Sequence, residues 1–423
     1  MTELTTFDFI TRNLEPLVGN DAVRLLEIIK DRPLKLYWGT APTGAPHFGY
    51  LVPLRKIADF LKAGCEVTIM FADIHAMLDN LKTKPDLIQI RTTCYEMIIK
   101  RILQIFKVPL HKLRFIRGSE FQTSPEYINK FYELTAYTTI KQAIHAGAEV
   151  VKQTSSPKLS SVIYPLLQAL DEEFLGVDGQ FGGIDQAKIF MFAKDQLPRI
   201  GISKRIHLMN ALIPGLKKGG KMSSSIPYSK IDFRDTDEDI NRKILGAFSI
   251  DGHVGNGKNK NCMLAMMEHV IYPTLNGESF MIKRDRLYGG NIKITSYKEL
   301  EKMFQLNKLS SIDLKISMVP YIQKLIKPIR AMISEQSELF DSACWHAHHA
   351  NVPIISSSLQ SIQSTQLKKM TKKMTKKITK KTIELSLEDK IACELKAIQK
   401  MEQHIIFKKK KVEELRRQMG EKE

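Results

Sequence analysis

Two short runs, Leu34–Trp38 and Val67–Phe71, are apolar with little alternation, and a helical pattern lies between them. That feature constrains the fold most. Short runs of this kind suit strands buried on both faces, the condition of a parallel sheet covered by helices. His47–Ala63 reads as the intervening helix, with Leu54, Ile57, Ala58 and Leu61 on one face. Asp86–Phe106 reads as a second, longer helix, Leu113–Ile116 as a third strand and Ile206–Met209 as a late strand. Repeated strand–helix–strand units predict an α/β, doubly wound parallel sheet of the Rossmann type. Asp21–Lys30 is expected to be an N-terminal helix capped by Asn20, and Tyr127–Val151 a helical insertion.

Two segments about 170 residues apart carry the chemistry. Pro42-Thr43-Gly44-Ala45-Pro46-His47-Phe48-Gly49 follows the first strand as a turn into a helix. A helix start presents unpaired N–H groups and a positive dipole end, which suit an anion. His47 can donate to phosphate oxygens, and Gly49 lets a nucleotide lie against bare backbone. The second segment, Lys221-Met222-Ser223-Ser224-Ser225, sits among Gly215, Gly219 and Gly220. It reads as a mobile basic loop whose lysine, hydroxyls and N–H groups can reach phosphates. Together the two segments describe halves of one ATP site.

Tyr164, Gln168 and Asp171 follow at i, i+4 and i+7, so one helical face carries all three. Pro165 suits the first turn of that helix. The face should meet either water or a polar small molecule. Gly182-Gly183-Ile184-Asp185-Gln186 comes soon after, a glycine turn whose carboxylate and amide suit ribose and ammonium groups.

With these residues in view the chain resembles the tyrosyl-tRNA synthetases of the eukaryotic and archaeal type, class I aminoacyl-tRNA synthetases. The likeness covers residues 1 to about 332. It includes Tyr37-Trp38-Gly39-Thr40, Phe71-Ala72-Asp73-Ile74-His75-Ala76, Gln168-Ala169-Leu170-Asp171, the Gly182–Gln186 turn and the Lys221 loop. The resemblance implies a catalytic domain over 1–228, with an insertion at about 117–160, and a mostly α-helical anticodon-binding domain over 229–332. It implies that Tyr37 and Asp171 bind the phenol of L-tyrosine, that Tyr164, Gln168 and Gln186 hold its ammonium and carboxylate, and that His75 lines the pocket. Thr43, His47, Gly49, Gly183, Asp185, Lys221, Met222, Ser223, Ser224 and Ser225 would contact ATP, which brings Mg²⁺; no protein-bound metal is expected. Of these, His47, Gly49, Lys221 and Ser224 would be catalytic. Tyr288 would stack on the first anticodon base of tRNA(Tyr), with Asp313 hydrogen-bonding it, unless Tyr288 is a core aromatic. A homodimer is implied, with the insertion at its interface. Two positions depart from the family pattern. Tyr50 takes the last place of the His-x-Gly-His motif, as in eukaryotic relatives, and Ala187 stands where an arginine tied to acceptor-stem reading often does.

Two other readings share these motifs. A tryptophanyl-tRNA synthetase has the same fold but no need for the Tyr37/Asp171 pair. A catalytically idle, synthetase-derived RNA-binding protein should have lost His47, Asp171 or Lys221, and all three are present.

Charge and composition fit the same picture. The net charge of +18 divides evenly: residues 366–423 hold 18 basic against 9 acidic side chains, and the body holds the other +9. Such a body suits either a polyanionic partner or ordinary solubility. No apolar run approaches the ~20 residues of a membrane span. The N-terminus resembles neither a secretory signal nor a transit peptide, so a cytoplasmic protein is expected. The five cysteines lack CxxC spacing, so neither disulfides nor zinc are expected, and Cys344, His346, His348 and His349 match no standard zinc pattern. Ser334–Thr365 reads as a linker (333–365). Lys368–Lys381 is a Lys-Lys-x-Thr repeat, and Ser386–Met419 an amphipathic helix within the basic tail, 366–423.

Overall fold

The computed structural model describes residues 5–79, 82–151, 156–224, 226, 228–256 and 259–345. The Lys-rich repeat, the Ser386–Met419 helix and the three histidines after Cys344 lie outside the described residues, as does Ser225.

Five strands form one parallel sheet: β1 (Lys35–Thr40), β2 (Glu66–Phe71), β3 (Leu113–Arg117), β4 (Gly179–Gly183) and β5 (Ile206–Asn210). Their order is β3-β2-β1-β4-β5. Tyr37 pairs with Thr68 on one side and Gln180 on the other. The order reverses between β1 and β4, and such a switch point opens a crevice at the strands' carboxyl ends. β4 has no apolar run to announce it. A Cβ on Gly179 would lie 2.5 Å from the Ile206 carbonyl, so only glycine lets β4 approach β5 this closely.

Helices cover both faces. The Leu51–Lys62 helix buries Leu54, Ile57, Ala58 and Leu61, as its period predicts. It begins four residues later than expected because a 3₁₀ turn, Phe48–Tyr50, intervenes. The long Pro85–Ile105 helix starts on its proline. Asn20 stands at the N-cap of Asp21–Asp31 but makes no side-chain capping bond. The insertion comprises the Pro125–Tyr137 and Ile140–Ala146 helices, each begun by a hydroxyl cap, Ser124 and Thr139.

After β5 the chain is mostly helical. A capping box at Thr236 starts Asp237–Leu245, and Ser310 caps the 25-residue Ser311–Glu335 helix. A small antiparallel pair, β6 (Phe280–Ile282) and β7 (Ile292–Ile294), adds a hairpin. The stretch expected to become a linker at 333 stays helical through Ser337–Ser342. Phe340 and Ala343 are buried there, which gives the segment apolar anchors its serine content concealed. Among the described residues no helix is long and apolar enough to cross a membrane.

Candidate active site

A pocket of about 170 Å³ opens at the switch point, lined by the ends of β1 and β4 together with His75, Tyr164, Gln168 and Gln186. Tyr164, Gln168 and Asp171 lie on the Leu159–Phe174 helix and all are buried; Tyr164 and Gln168 line the pocket, and Asp171 lies outside its lining. The expected helix start is corrected. The helix begins at Leu159, and Pro165 lies inside it as the seventh residue. The proline costs one backbone bond, and the packing of the flanking leucines holds the helix together across it.

Asp171 is fully buried at the end of this row. Its Oδ1 accepts from Gln122 Nε2 at 2.7 Å and Tyr127 Oη at 2.8 Å, while Oδ2 has no partner among the described residues. Burial pushes its pKa up to about 7 against the pull of those two bonds, with Glu172 adding to the rise. Gln122 and Tyr127 are functional neighbours that sequence reading missed. They come from the insertion, more than 40 positions away. Tyr37, also fully buried, donates to the Gln168 carbonyl at 3.2 Å. Burial, followed by the charge of Asp171, holds the Tyr37 phenol well above its ordinary pKa. His75 meets the Tyr164 ring edge-on at 4.6 Å, and burial lowers its pKa to about 4.

A continuous chain of contacts leads from this pocket to the basic loop. Gln168 Nε2 donates to Gln186 Oε1 at 3.0 Å, and Gln186 Nε2 to Asp185 Oδ1 at 3.3 Å. Lys221 Nζ then donates to Asp185 Oδ2 at 2.6 Å. The residues read as two distant motifs are thus neighbours.

The glycine turn and the basic loop also touch directly. Ser224 Oγ donates to the Ala45 carbonyl at 2.9 Å, and a Cβ on Gly44 would come within 2.6 Å of Ser224 Cβ. His47 caps the 3₁₀ turn, its Nδ1 accepting from the Gly49 N–H at 3.1 Å. Burial, then the positive charge of Lys230, lowers its pKa to about 3. It is therefore a neutral imidazole with Nε2–H left to donate. Tyr50, in the second histidine's place, bonds Tyr95 through their hydroxyls at 3.1 Å. Thr43 lies inside the turn, its N–H bonded to Ala41.

Met222 is buried, and a Cβ on Gly49 would lie 3.9 Å from its sulfur. Gly219 and Gly220 have φ of +80° and +77° and form the tip of a small hairpin in which Pro214 pairs with Lys221. They serve a required left-handed turn as well as mobility. The backbone of Ser223 is held by the Ser229 hydroxyl, which accepts from its N–H at 3.4 Å and donates to its carbonyl at 3.2 Å.

In the helical region Tyr288 is 74% exposed at the end of the Arg286–Tyr288 turn, which excludes the core-aromatic reading. Asp313 opens the Ser311–Glu335 helix, and Ser317 links its carbonyl to the Lys283 N–H at the base of the same hairpin loop. Lys315 is buried and donates to the Leu245 and Ala247 carbonyls, a structural role. Ala187 begins the Ala187–Gln196 helix, and Lys188 pairs with Glu149 at 3.2 Å. Among the described residues no three His, Cys, Asp or Glu side chains group so as to hold a metal.

Comparison with known proteins agrees with this geometry. The family described as tRNA synthetases class I (W and Y) matches residues 30–327. The cytoplasmic tyrosine–tRNA ligase of Xenopus laevis is 53% identical over 321 residues, 76% of this chain and 59% of that protein. The chain thus spans less than two thirds of the length of such vertebrate relatives. The Saccharomyces cerevisiae cytoplasmic tyrosine–tRNA ligase is 44% identical over 343 residues, 80% of this chain and 86% of the relative. The Archaeoglobus fulgidus tyrosyl-tRNA synthetase solved with L-tyrosine superposes with a TM-score of 0.70 at 33% identity, covering 77% and 98% of the two chains. On its sheet topology, its paired nucleotide loops and these relatives, the chain belongs to the class I tRNA synthetases, in the tyrosine–tRNA ligase family of eukaryotic type.

Proposed function

We propose that the chain activates L-tyrosine with ATP and transfers the tyrosyl group to the terminal adenosine of tRNA(Tyr). The observation that carries this reading is the chain Gln168–Gln186–Asp185–Lys221, which joins a phenol-sized polar pocket to the nucleotide loops. The substrate hydroxyl donates to the unpartnered Asp171 Oδ2, with Tyr37 beside it. Tyr164, Gln168 and Gln186 hold the ammonium and carboxylate. Gly183 and Asp185 take the ribose, since a side chain at Gly183 would fall within 2.7 Å of the Asp185 carboxylate. Gly49 keeps the backbone bare beside His47, where a Cβ would lie 2.8 Å from the imidazole. Lys221, Ser224 and the Nε2–H of His47 then meet the phosphates, and Mg²⁺ enters with ATP as part of the substrate.

The substrate carboxylate is already ionised at neutral pH. One of its oxygens attacks the α-phosphorus, the bond to the bridging oxygen breaks, and pyrophosphate leaves with the electron pair. No proton needs to move. Catalysis rests on alignment and on cationic groups set where charge grows. A ribose hydroxyl of the terminal adenosine then attacks the tyrosyl carbonyl, its proton passes to the adenylate phosphate, and AMP departs.

By the same reading residues 1–228 form the catalytic domain and 229–332 the anticodon-binding domain, in which Tyr288 stacks on an anticodon base and Asp313 bonds its edge. The protein acts in the cytoplasm, as its relatives' names indicate for them, and pairs as a homodimer through the insertion. Exposed Tyr132, Tyr137 and Ile140 on that insertion favour the pairing. ATP–pyrophosphate exchange with tyrosine, tryptophan and phenylalanine tests the core of the proposal. Exchange with tyrosine alone is expected. Exchange driven by tryptophan, or none with any amino acid, overturns it.

A further inference from the structure

The glycine turn is held from behind by Thr83, Arg91 and Tyr95, side chains that no nucleotide contact requires, and from the basic loop by Ser224. Four successive carbonyls, Pro42 to Ala45, each accept a side-chain hydrogen bond. Thr83 Oγ1 reaches Pro42 at 2.8 Å, Arg91 Nη1 reaches Thr43 at 3.1 Å, Tyr95 Oη reaches Gly44 at 2.5 Å and Ser224 Oγ reaches Ala45 at 2.9 Å. Carbonyl oxygens carry negative partial charge, so fixing them toward the protein keeps them from facing an approaching polyphosphate.

Arg91 is the centre of this arrangement. It is fully buried, and among the described residues no carboxylate bonds its guanidinium, which donates to backbone carbonyls and the Thr83 hydroxyl. Its other two nitrogens donate to Ala343 and Cys344, each at 2.9 Å. The Trp345 ring lies 5.0 Å from the guanidinium and 5.9 Å from Tyr95. One side chain thus grips the nucleotide turn with one edge and a segment 250 residues downstream with the other.

We propose that Arg91 is a positioning residue for ATP and that Ala343–Trp345 completes the support of its turn, so that the end of the helical region sets the stiffness of the nucleotide site. This rests on the adenylation reading above. Five directed donors in a planar fork can serve both partners at once, and a lysine ammonium cannot.

The test uses the full chain with Arg91→Lys and, because Arg91 is buried, also Trp345→Ala, whose side chain is only half-buried. Two readouts are taken, amide hydrogen exchange of residues 40–46 and the KM for ATP in pyrophosphate exchange, alongside calorimetric tyrosine affinity. Arg91→Lys is expected to raise the KM for ATP about tenfold. Trp345→Ala should raise it about threefold. Both should speed amide exchange at 40–46, with tyrosine affinity unchanged. Unaltered amide exchange in both variants overturns the proposal, and so does a parallel loss of tyrosine and ATP affinity. Should the wild-type chain exchange no pyrophosphate, the functional reading fails, and the amide measurement still decides whether the clasp stiffens the turn.

Discussion

The proposed tyrosine pocket and the Lys221 loop are built in opposite ways and are joined through Gln168, Gln186 and Asp185. In the pocket, Tyr37 and Asp171 are sealed from solvent, and Gln122 and Tyr127 fix the Asp171 carboxylate in one orientation. In the loop, the Lys221 side chain is half exposed and a single carboxylate holds it. Rigid burial suits discrimination, because a substrate lacking the hydroxyl leaves desolvated groups unpaired. A loosely held cation suits a step in which charge appears and departs with pyrophosphate. On the proposed reading one site keeps specificity in its buried part and rate in its exposed part.

The sharpest break of this comparison is Lys221→Ala. It should lower tyrosyl-adenylate formation by about 10²–10³-fold, while tyrosine affinity by calorimetry stays within about twofold. A matching loss of tyrosine binding would merge the two regions into one. Next in size, Asp171→Asn should reduce the preference for tyrosine over phenylalanine in pyrophosphate exchange by about a hundredfold. A preference left intact would move the source of selectivity elsewhere. Gly44→Ala places a methyl group against Ser224 and should raise the KM for ATP about tenfold, leaving tyrosine affinity as it was.

A pH dependence closes the series. A phenol donating to Asp171 binds the carboxylate better than the acid, and that carboxyl titrates at about 7 in the free protein. Tyrosine affinity should therefore weaken as pH falls through 7, by at most about tenfold per unit. His47, at about 3, stays neutral over pH 5.5–8.5 and should add no limb to the rate profile. A flat tyrosine affinity from pH 5.5 to 8.5 would remove Asp171 from direct contact with the phenol.

Much of this arrangement is legible in the chain itself, for physical reasons. β1 and β2 are readable because strands covered on both faces must be apolar. The row Tyr164, Gln168 and Asp171 is readable because helical spacing does not depend on the rest of the fold. β4 is not, since its place rests on how closely Gly179 approaches β5 rather than on hydrophobicity. The true start of the Leu159 helix is hidden by Pro165, which usually marks a first turn. Gln122, Tyr127 and Arg91 escape notice because their partners lie some 40 to 250 positions away. Their meaning exists only once the sheet has brought those segments together.

The pairing of Lys221 with Asp185 at 2.6 Å has a further consequence. In the proposed nucleotide site the two charges offset each other, so on that reading entry of ATP would be an exchange of counter-ions rather than the filling of a naked positive hole. In that exchange the ribose would claim Asp185 and the polyphosphate Lys221. Because a solvent-facing ion pair is worth only about 0–1 kcal/mol, that exchange meets little resistance. Added salt weakens the resting pair and the incoming phosphate contacts alike, so ionic strength should change nucleotide affinity less than the lysine's charge alone suggests.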